Sequence, residues 1–374
     1  MTSARTPVPD RYVRYSDAIE VEQPNEAQLI DNVIASMARL ARIAFDKHRH
    51  GVRDAHAKSH GVLVGTLSVY DDLPPHLRQG LFAQPGIYPI IARFSSAPGD
   101  INSDRVPAPK GLAIKVLGVA GRKFLAGHED ELTQDFLLVN QAVIPFGHIT
   151  SYWQMQQLLE QHADDSVAAQ LAVSMLAKGA ASLLGVAGIE TPVFDALSMP
   201  DHHILGETFH SMAALRFGAY VAKISAAPLS PSVRALVGTP YDAKAAPSIV
   251  RDQLCAFFQA QDAEYELRAQ LCTDIGTMPV EDASIVWPEH ASPHQAIGKI
   301  TLLAQDAYSP ARRIYGDDVL SFNPWHCLPD HRPLGSIMRV RIKAYEASSK
   351  FRHAMNLQER REPRDLADVP VQHP

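Results

Sequence analysis

The sequence is poor in the features that mark exported, membrane-spanning or nucleic-acid-binding proteins. Its 374 residues include three cysteines, Cys255, Cys272 and Cys327, whose spacing matches neither a zinc site nor a disulfide framework. The first residues lack the apolar core of a signal peptide, and apolar stretches such as residues 181–189 are too short to span a bilayer. The 35 basic and 41 acidic side chains argue against phosphates or an anionic membrane surface as the main partner. We therefore expect a cytoplasmic protein with no nucleic-acid partner and no stable membrane insertion.

Histidine is the residue type that stands out, with seventeen copies. The pairs His48/His50 and His202/His203 are the obvious candidates for metal ligands. A metal site needs further ligands, and no carboxylate partner can be assigned to either pair from its spacing. We interpret both pairs as surface or loop residues.

The hydrophobic pattern predicts helices and short strands without a regular βαβ alternation. Helical spacing covers residues 25–44, 152–184, 248–261 and 334–355. Short β-branched segments bounded by turn residues predict strands at 61–70, 87–95, 111–117, 134–140, 218–224, 264–270 and 296–303. About eight strands with this spacing favour an α+β protein, an antiparallel β-barrel surrounded by helices, in one domain.

The last predicted helix carries the first candidate site. At 100° per residue, Arg341, Tyr345, Arg352 and Asn356 lie within an arc of about 60°. An arginine one turn before a tyrosine favours the ionised phenolate, which is a suitable ligand for ferric iron and a known axial ligand of haem. The alternative is an ordinary amphipathic helix with Tyr345 packed on the barrel and its arginines solvated.

A second candidate lies before the first strand, in Arg53-Asp-Ala-His56-Ala-Lys58. His56 could act as a general base at the mouth of the barrel. It could equally be a loop histidine in a basic patch.

Several motifs together resemble the core of the haem catalases. Their order along the chain is Arg53-x-x-His56-Ala-Lys58, Arg93-Phe-Ser95, Pro109-Lys-Gly-Leu-Ala-Ile-Lys115, Asn140, Phe322-Asn-Pro324, and Arg341-x-x-x-Tyr345 with Arg352 and Asn356. Each motif alone is weak, but their order and spacing agree from about residue 45 to residue 356. The chain is thus similar to the catalase-like haem superfamily, which implies a catalase-like antiparallel barrel with surrounding helices.

The resemblance implies a role for each site residue. Tyr345 would be the axial ligand of the iron of haem b, with Arg341 holding it as phenolate. His56 would be the distal acid–base residue, Ser95 would orient its ring, and Asn140 would hydrogen-bond the peroxide. Arg53, Arg93 and Arg352 would pair with the haem propionates, since guanidinium groups match carboxylates by bidentate hydrogen bonds.

The resemblance also implies an organisation of the chain. It divides into an N-terminal arm and helix at 1–44, a barrel core at 45–320 with a helical insertion at about 150–210, a proximal haem helix at 321–356, and a loose tail at 357–374 whose few apolar residues predict no packing. The C-terminal helical region of full-length catalases is not expected. We expect a homo-oligomer, a dimer or a tetramer.

Four departures from the family pattern bear on the reaction. Ala55 stands where valine precedes the distal histidine, Ser59 replaces glycine, Ala108 replaces a channel aspartate, and Glu346-Ala-Ser348 replaces Pro-Asp-Thr. Ala55 and Ala108 predict a wider and more apolar approach to the haem.

The predicted function is a haem hydroperoxidase that reduces, disproportionates or rearranges hydrogen peroxide or an organic or lipid hydroperoxide. Catalase, peroxidase and fatty-acid hydroperoxide isomerase or lyase stay open as subtypes. A non-catalytic haem-binding or sensing protein is the competing class. It is disfavoured because a mere binder has no need of His56 and Asn140.

Overall fold

The computed structural model describes residues 11–106, 108–161 and 201–370. Its α-helices in these ranges are α1 (Glu26–His48), α2 (Ile149–Gln161), α3 (Pro231–Arg234), α4 (Ile249–Phe258), α5 (Pro310–Ile314) and α6 (Ser336–Asn356). Its strands are β1 (Lys58–Val69), β2 (Gly86–Ser96), β3 (Lys110–Leu117), β4 (Thr133–Val139), β5 (Phe209–His210), β6 (Leu215–Phe217), β7 (Tyr220–Pro228), β8 (Ala263–Leu271) and β9 (Gln295–Leu302). A π-helical turn, Tyr315–Val319, follows α5, and short 3-10 helices lie at Asp17–Ile19, Gly80–Phe82, Ile204–Gly206, Pro329–His331 and Leu366–Asp368.

The strands form one antiparallel sheet that closes on itself. Its order is β5-β4-β3-β2-β1-β9-β8-β7-β6, and β5 also pairs with β7. Eight strands therefore complete the barrel, and β6 extends it as the hairpin partner of β7. Closure leaves no long free edge among the described strands, which is one way in which antiparallel sheets avoid edge-to-edge aggregation. The prediction of an α+β barrel of about eight strands is confirmed.

Alternation along the strands separates an apolar interior from a polar outer face. On β2, Ala92 and Phe94 belong to the core inside the barrel, whereas Arg93 and Ser95 point to the other side. These two outward residues are nevertheless only 2% exposed. The outer face of this part of the barrel is therefore covered, and Arg93 is not an ordinary surface charge.

Helices supply part of that cover. Apolar residues of α1, α2 and α6 pack together, among them Val33, Ile149, Val340 and Ala344. Arg339 fixes the start of α6 through ion pairs with Glu20, Glu26 and Glu281. Three helices thus form a layer beside the barrel, as expected for helices with one apolar face.

The tail differs from its prediction over residues 357–370. Pro363 is buried, Val369 is 1% exposed against Val62 and Ile91, and Glu362 forms an ion pair with the buried Lys115 on β3. The expectation of a loose tail is wrong for this segment because a few well-placed contacts, two apolar and one ionic, suffice to hold it on the barrel. Residues 371–374 lie outside the described part.

The other helices and strands follow the sequence pattern closely. Each predicted strand is present within a few residues, and α1 runs on to His48. Of the predicted helix at 152–184, residues 152–161 belong to α2 and the rest lies outside the described residues. The expected helical insertion to about 210 is wrong at its end, where Phe209–His210 is a strand. No helix in the described ranges has both the length and the apolarity needed to cross a bilayer.

Candidate active site

His56 lies in the connection between α1 and β1, over the outer face of the barrel. Its backbone has a positive φ of 53°, a conformation that is uncommon for residues other than glycine. Its Nδ1 is buried and has no hydrogen-bond partner in the described part of the chain. Burial, reinforced by the positive charges of Arg93 and Arg341, lowers the pKa of His56 to about 3. The imidazole is therefore neutral at pH 7 and free to accept a proton.

Ser95 reaches the same point through the register of the sheet. Ser95 on β2 pairs with Gly111 on β3, and a Cβ added to Gly111 would lie 2.7 Å from His56 Nδ1 and 3.0 Å from Ser95 Oγ. The hydroxyl and the ring nitrogen thus face one small space. Only glycine fits there, because any side chain would displace the imidazole.

Asn140 follows the last residue of the neighbouring strand. Val139 on β4 pairs with Gly111, so Asn140 comes directly after the row that contains Ser95 and Gly111. The side-chain Oδ1 of Asn140 accepts a hydrogen bond of 2.8 Å from the backbone N–H of Lys110, and the backbone N–H of Asn140 donates to the Lys110 carbonyl. These two bonds fix the amide at the edge where His56 and Ser95 meet.

Arg53, Arg93 and Arg352 converge on the π-helical turn. Arg53 donates to the carbonyls of Gly316 and Leu320, at 2.6 Å each, and Arg352 donates to the carbonyls of Asp317 and Leu320. Arg93 donates to the carbonyls of His56 and Ala57, and its Nη2 lies 3.3 Å from Asp317 Oδ1. We call these three side chains the arginine cluster.

The arginine cluster carries more positive charge than its surroundings neutralise. Asp317 is the carboxylate within ion-pair distance of Arg53 and Arg93, while Asp318 is bonded to His50 and Asn356. Burial lowers the pKa of all three guanidinium groups relative to exposed arginine, that of Arg352 to about 10, and repulsion by the other arginines lowers the pKa of Arg53 and Arg352 further. Arg93 Nε is also buried without a partner. An anionic ligand would relieve this surplus, because buried charges are costly unless paired.

Arg341 and Tyr345 lie one turn apart on α6, as predicted, and both are half-buried. Arg341 Nη1 lies 3.6 Å from Met338 Sδ. Its charge acts on both His56 and Tyr152. Arg341, one turn from Tyr345 on α6, therefore lies near the His56 imidazole.

Two titratable neighbours were missed by the sequence reasoning. Burial raises the pKa of Asp54 to about 7, against the opposing effects of Ser348 and Arg352, and Asp54 Oδ1 has no partner in the described residues. Burial also raises the pKa of Tyr152, which Tyr345 and Asp54 raise further and Arg341 opposes. Asp54 stood inside the His56 motif and could have been noticed as a carboxyl group there. Tyr152 had no local signal.

A second cluster of ionisable groups has a different character. Glu131, His326 and Glu362 each offer a possible metal-ligand atom, within 4.8 Å of one another. Lys115 contacts Glu362 at 2.5 Å and Asp135 at 2.8 Å. Arg360 contacts Glu362 at 2.8 Å and Glu131 at 3.4 Å. Two cations therefore already neutralise the carboxylates, and we describe the cluster as an ion-pair network rather than a metal site.

The histidine pairs are accounted for by local contacts. His48 is paired with Asp100, and His50 Nε2 lies 2.7 Å from Asp318. His203 Nδ1 accepts from the Leu205 N–H at the start of a 3-10 helix. The interpretation as surface or loop residues agrees with the positions of His50, His202 and His203, although His203 is buried, but His48 is the last residue of α1.

Three of the four departures from the family pattern lie close to His56 in the chain or just before β3, and the fourth, Glu346-Ala-Ser348, lies on α6. Ala55 is exposed, Ser59 is 5% exposed, and Ala108 is half-buried. A valine at 55 would cover part of the surface that alanine leaves open, and an aspartate at 108 would add a charge. The wider and more apolar approach expected from Ala55 and Ala108 stays a prediction.

Comparisons with known proteins show the fold. No protein-family model and no curated protein matches the chain. A fungal catalase structure matches 94% of this chain and 67% of its own, with a TM-score of 0.55 and 15% identity. Catalase A from Saccharomyces cerevisiae matches 94% and 70%, with a TM-score of 0.56 and 16% identity. The chain therefore has a catalase-like fold, as its motifs predicted.

Proposed function

We propose that this protein is a haem-dependent hydroperoxidase that acts on hydrogen peroxide or, by preference, on organic hydroperoxides. One observation carries the proposal. A neutral imidazole with an unpartnered Nδ1, a serine hydroxyl and an anchored amide meet beside three arginines that hold surplus positive charge. The catalase-like fold supports an activity of the same broad class, peroxide oxidoreduction.

The residues of the site fit haem b. The surplus charge of Arg53, Arg93 and Arg352 suits two carboxylates of a ligand, and the unpartnered Arg93 Nε is a donor still to be satisfied. Tyr345, one turn from Arg341 on α6, would ligate the iron. When bound, haem supplies the redox-active iron at which the O–O bond of a peroxide is cleaved.

The side chains of this protein would move the protons of that reaction. His56, neutral at pH 7, takes the proton from one peroxide oxygen and returns it to the other, which leaves as water or alcohol. Ser95, at the same small space, orients the ring. Asn140 donates a hydrogen bond to the peroxide from its amide, whose Oδ1 is held by Lys110.

Substrate size follows from the approach to His56. With Ala55 exposed and Ala108 in place of a carboxylate, the approach admits a bulkier and less polar molecule than hydrogen peroxide. An organic hydroperoxide is therefore the favoured substrate. Reduction and rearrangement of the hydroperoxide use the same proton transfers by His56.

Absorption spectra of the purified protein and of Tyr345→Phe test the cofactor. We expect a Soret band in the wild type, a shifted or lost band in Tyr345→Phe, and no change in Tyr88→Phe, a control on β2. A wild type without a Soret band after reconstitution with haem overturns the cofactor. An unchanged Tyr345→Phe spectrum overturns the ligand.

Turnover assays separate the reactions. We expect faster consumption of cumene hydroperoxide or linoleate hydroperoxide than of hydrogen peroxide. Rapid oxygen release from hydrogen peroxide, with no turnover of the organic substrates, would instead indicate a catalase. Haem binding without turnover of any peroxide would indicate the non-catalytic class.

A further inference from the structure

A pocket borders the π-helical turn whose carbonyls accept hydrogen bonds from the arginine cluster. It has a volume of about 940 Å³, within the usual range for small-molecule sites, and is lined by residues of loop 127–132, the turn, and tail segment 361–368. We call it the tail pocket. It contains none of the residues assigned to peroxide chemistry.

The π-helical turn has two faces with different neighbours. Tyr315 and Val319 line the tail pocket. The carbonyls of Gly316, Asp317 and Leu320, in and just after the same turn, accept hydrogen bonds from Arg53 and Arg352. A ligand in the tail pocket would therefore contact the element that holds the arginine cluster. Turns of this helical type are often found at functional sites.

Tyr315 offers an unsatisfied polar group to the tail pocket. Its ring packs with Val62, Ile91 and Leu117 on the outer face of the barrel, and the residue is only 7% exposed. Its hydroxyl is buried and has no hydrogen-bond partner in the described part of the chain. A buried hydroxyl without a partner costs about 1–3 kcal/mol, which a ligand could recover.

The charges of the tail pocket that have no partner are mainly positive. Glu131, Glu362 and Asp368 accept hydrogen bonds from protein groups, and Glu129 accepts one from Gly127. The guanidinium groups of Arg361 and Arg364 are exposed and make no hydrogen bond or ion pair with the described residues. Among the lining carboxylates, Asp130 is also exposed and makes no hydrogen bond or ion pair with the described residues.

Apolar surface completes the pocket. Leu132 is 57% exposed although it is a large aliphatic residue, and Val319 and Pro363 line the same space. Two unpaired guanidinium groups, a hydroxyl donor and an apolar wall are the donor set for a carboxylate or phosphate head with a hydrocarbon chain.

We propose that the tail pocket binds a small amphipathic anion, and that its occupancy alters the grip of the arginine cluster on its own anionic ligand through the turn Tyr315–Val319. The second clause rests on the proposed function. Coupling of this kind is reciprocal, so the ligand of the arginine cluster would change the affinity of the tail pocket by the same factor.

Calorimetric titration of the full protein tests binding. Decanoate and decyl phosphate share a chain and differ in the head group, inorganic phosphate lacks the chain, and decyltrimethylammonium reverses the charge. We expect one or both decyl anions to bind at least tenfold more tightly than the other two probes, and the tighter one identifies the head group. Equal binding of the cationic probe, or no binding of either anion, overturns the proposal.

Variants locate the site. Arg361→Ser with Arg364→Ser should weaken the preferred anion at least tenfold, and Tyr315→Phe at least about fivefold, because it removes a hydroxyl whose only expected partner is the ligand. Arg313→Ser, an exposed arginine outside the pocket lining, should leave the affinity unchanged. An undiminished affinity in the double variant overturns this location.

The rate of haem transfer to an acceptor protein tests the coupling. We expect a saturating decyl anion to change this rate at least threefold in the wild type and not in the Arg361→Ser, Arg364→Ser variant. An equal rate with and without the anion overturns the coupling clause. A protein that takes up no haem overturns the proposed function and the coupling with it, while calorimetry alone decides the binding clause.

Discussion

Two buried polar regions of this molecule lie on the same outer face of the barrel and are built in opposite ways. Around Lys115, which is fully buried, Asp135, Glu362 and His326 supply close partners. Around His56, the imidazole Nδ1 and the Arg93 Nε have none in the described residues. The first region is the ion-pair network, and the second is the candidate active site.

The pKa directions follow this difference. Burial opposes the charged form of His326, but hydrogen bonds to Asp135 and Glu131 raise its pKa overall. His56 is also buried but gains no such partner, so its pKa falls to about 3. Satisfied buried charges hold elements together, whereas unsatisfied ones remain available to a ligand. Buried polarity alone therefore does not distinguish the two regions; they differ in whether the buried imidazole has carboxylate partners.

The largest expected effect is a loss of activity on mutation of the candidate active site around His56. His56→Ala removes the general base and should lower the rate of hydroperoxide consumption by about 10²–10⁴-fold. The Soret band should persist, since Tyr345 is unchanged. Stopped-flow kinetics measures the effect, with His290→Ala, an exposed histidine, as the control. Full activity in His56→Ala contradicts the proposed proton transfers.

Mutation of the ion-pair network should instead lower the stability of the fold. Lys115→Met leaves Asp135 and Glu362 without their buried cation and should lower the free energy of unfolding by about 3–5 kcal/mol. Urea titration measures the change. A loss below 1 kcal/mol would show that the network contributes no more than surface ion pairs do.

The two histidines should give opposite dependences of stability on pH. His56 has a lowered folded pKa, so between about pH 6.5 and pH 3 its imidazole binds more protons in the unfolded chain than in the folded one. As pH is lowered through this window, the free energy of unfolding therefore falls by at most about 1.4 kcal/mol per pH unit. His326 has a raised folded pKa, so its contribution is fully present below about pH 6.5 and is lost as pH rises through the folded pKa.

Unfolding of His56→Gln and His326→Gln at pH 5 and pH 8.5 measures both contributions. Relative to wild type, His56→Gln should gain stability at pH 5. His326→Gln should lose more stability at pH 5 than at pH 8.5. Changes of the same sign in both variants contradict the distinction between the two regions.

An exposed ion pair gives the smallest effect and a matched control for Lys115. Lys343 and Asp31 lie 3.0 Å apart with side chains 60% and 63% exposed. Lys343→Met should change the free energy of unfolding by less than about 1 kcal/mol, and less at high salt. A larger loss would mean that exposure to solvent does not determine how much an ion pair contributes to the free energy of unfolding of this protein.

Most of the fold could be predicted because most helices and strands carry a local sequence pattern that indicates their type. Strands such as Ile87–Ser95 are β-branched runs between turn residues, and α6 shows helical spacing over its whole length. Strand β5 was missed because two residues carry no periodicity. The tail was wrongly expected to be loose because its contacts, Glu362 with Lys115 above all, join residues 247 positions apart.

The candidate site divides in the same way. The motif residues His56, Ser95 and Asn140 could be named from the sequence, and register brings them to one edge of the sheet. Asp317 could not be predicted as a site residue, because its role depends on ion pairs with two arginines from distant segments of the chain. The roles given to Tyr345 and the arginine cluster stay predictions until the experiments above are made.

The shortest strand of the barrel has a consequence for where the molecule opens. Closure depends on β5, which pairs with β4 through Val139 and His210 and with β7 through Phe209 and Ala226 and through His210 and Ser225. Native-state hydrogen exchange should therefore find the lowest opening free energy along this seam, well below that of the long β1–β2 ladder. Asn140 is the next residue after Val139, but its two hydrogen bonds run to Lys110 on β3 and do not cross the seam, so its amide should stay in place when the seam opens. The proposed site is thereby separated from the least protected hydrogen bonds of the barrel.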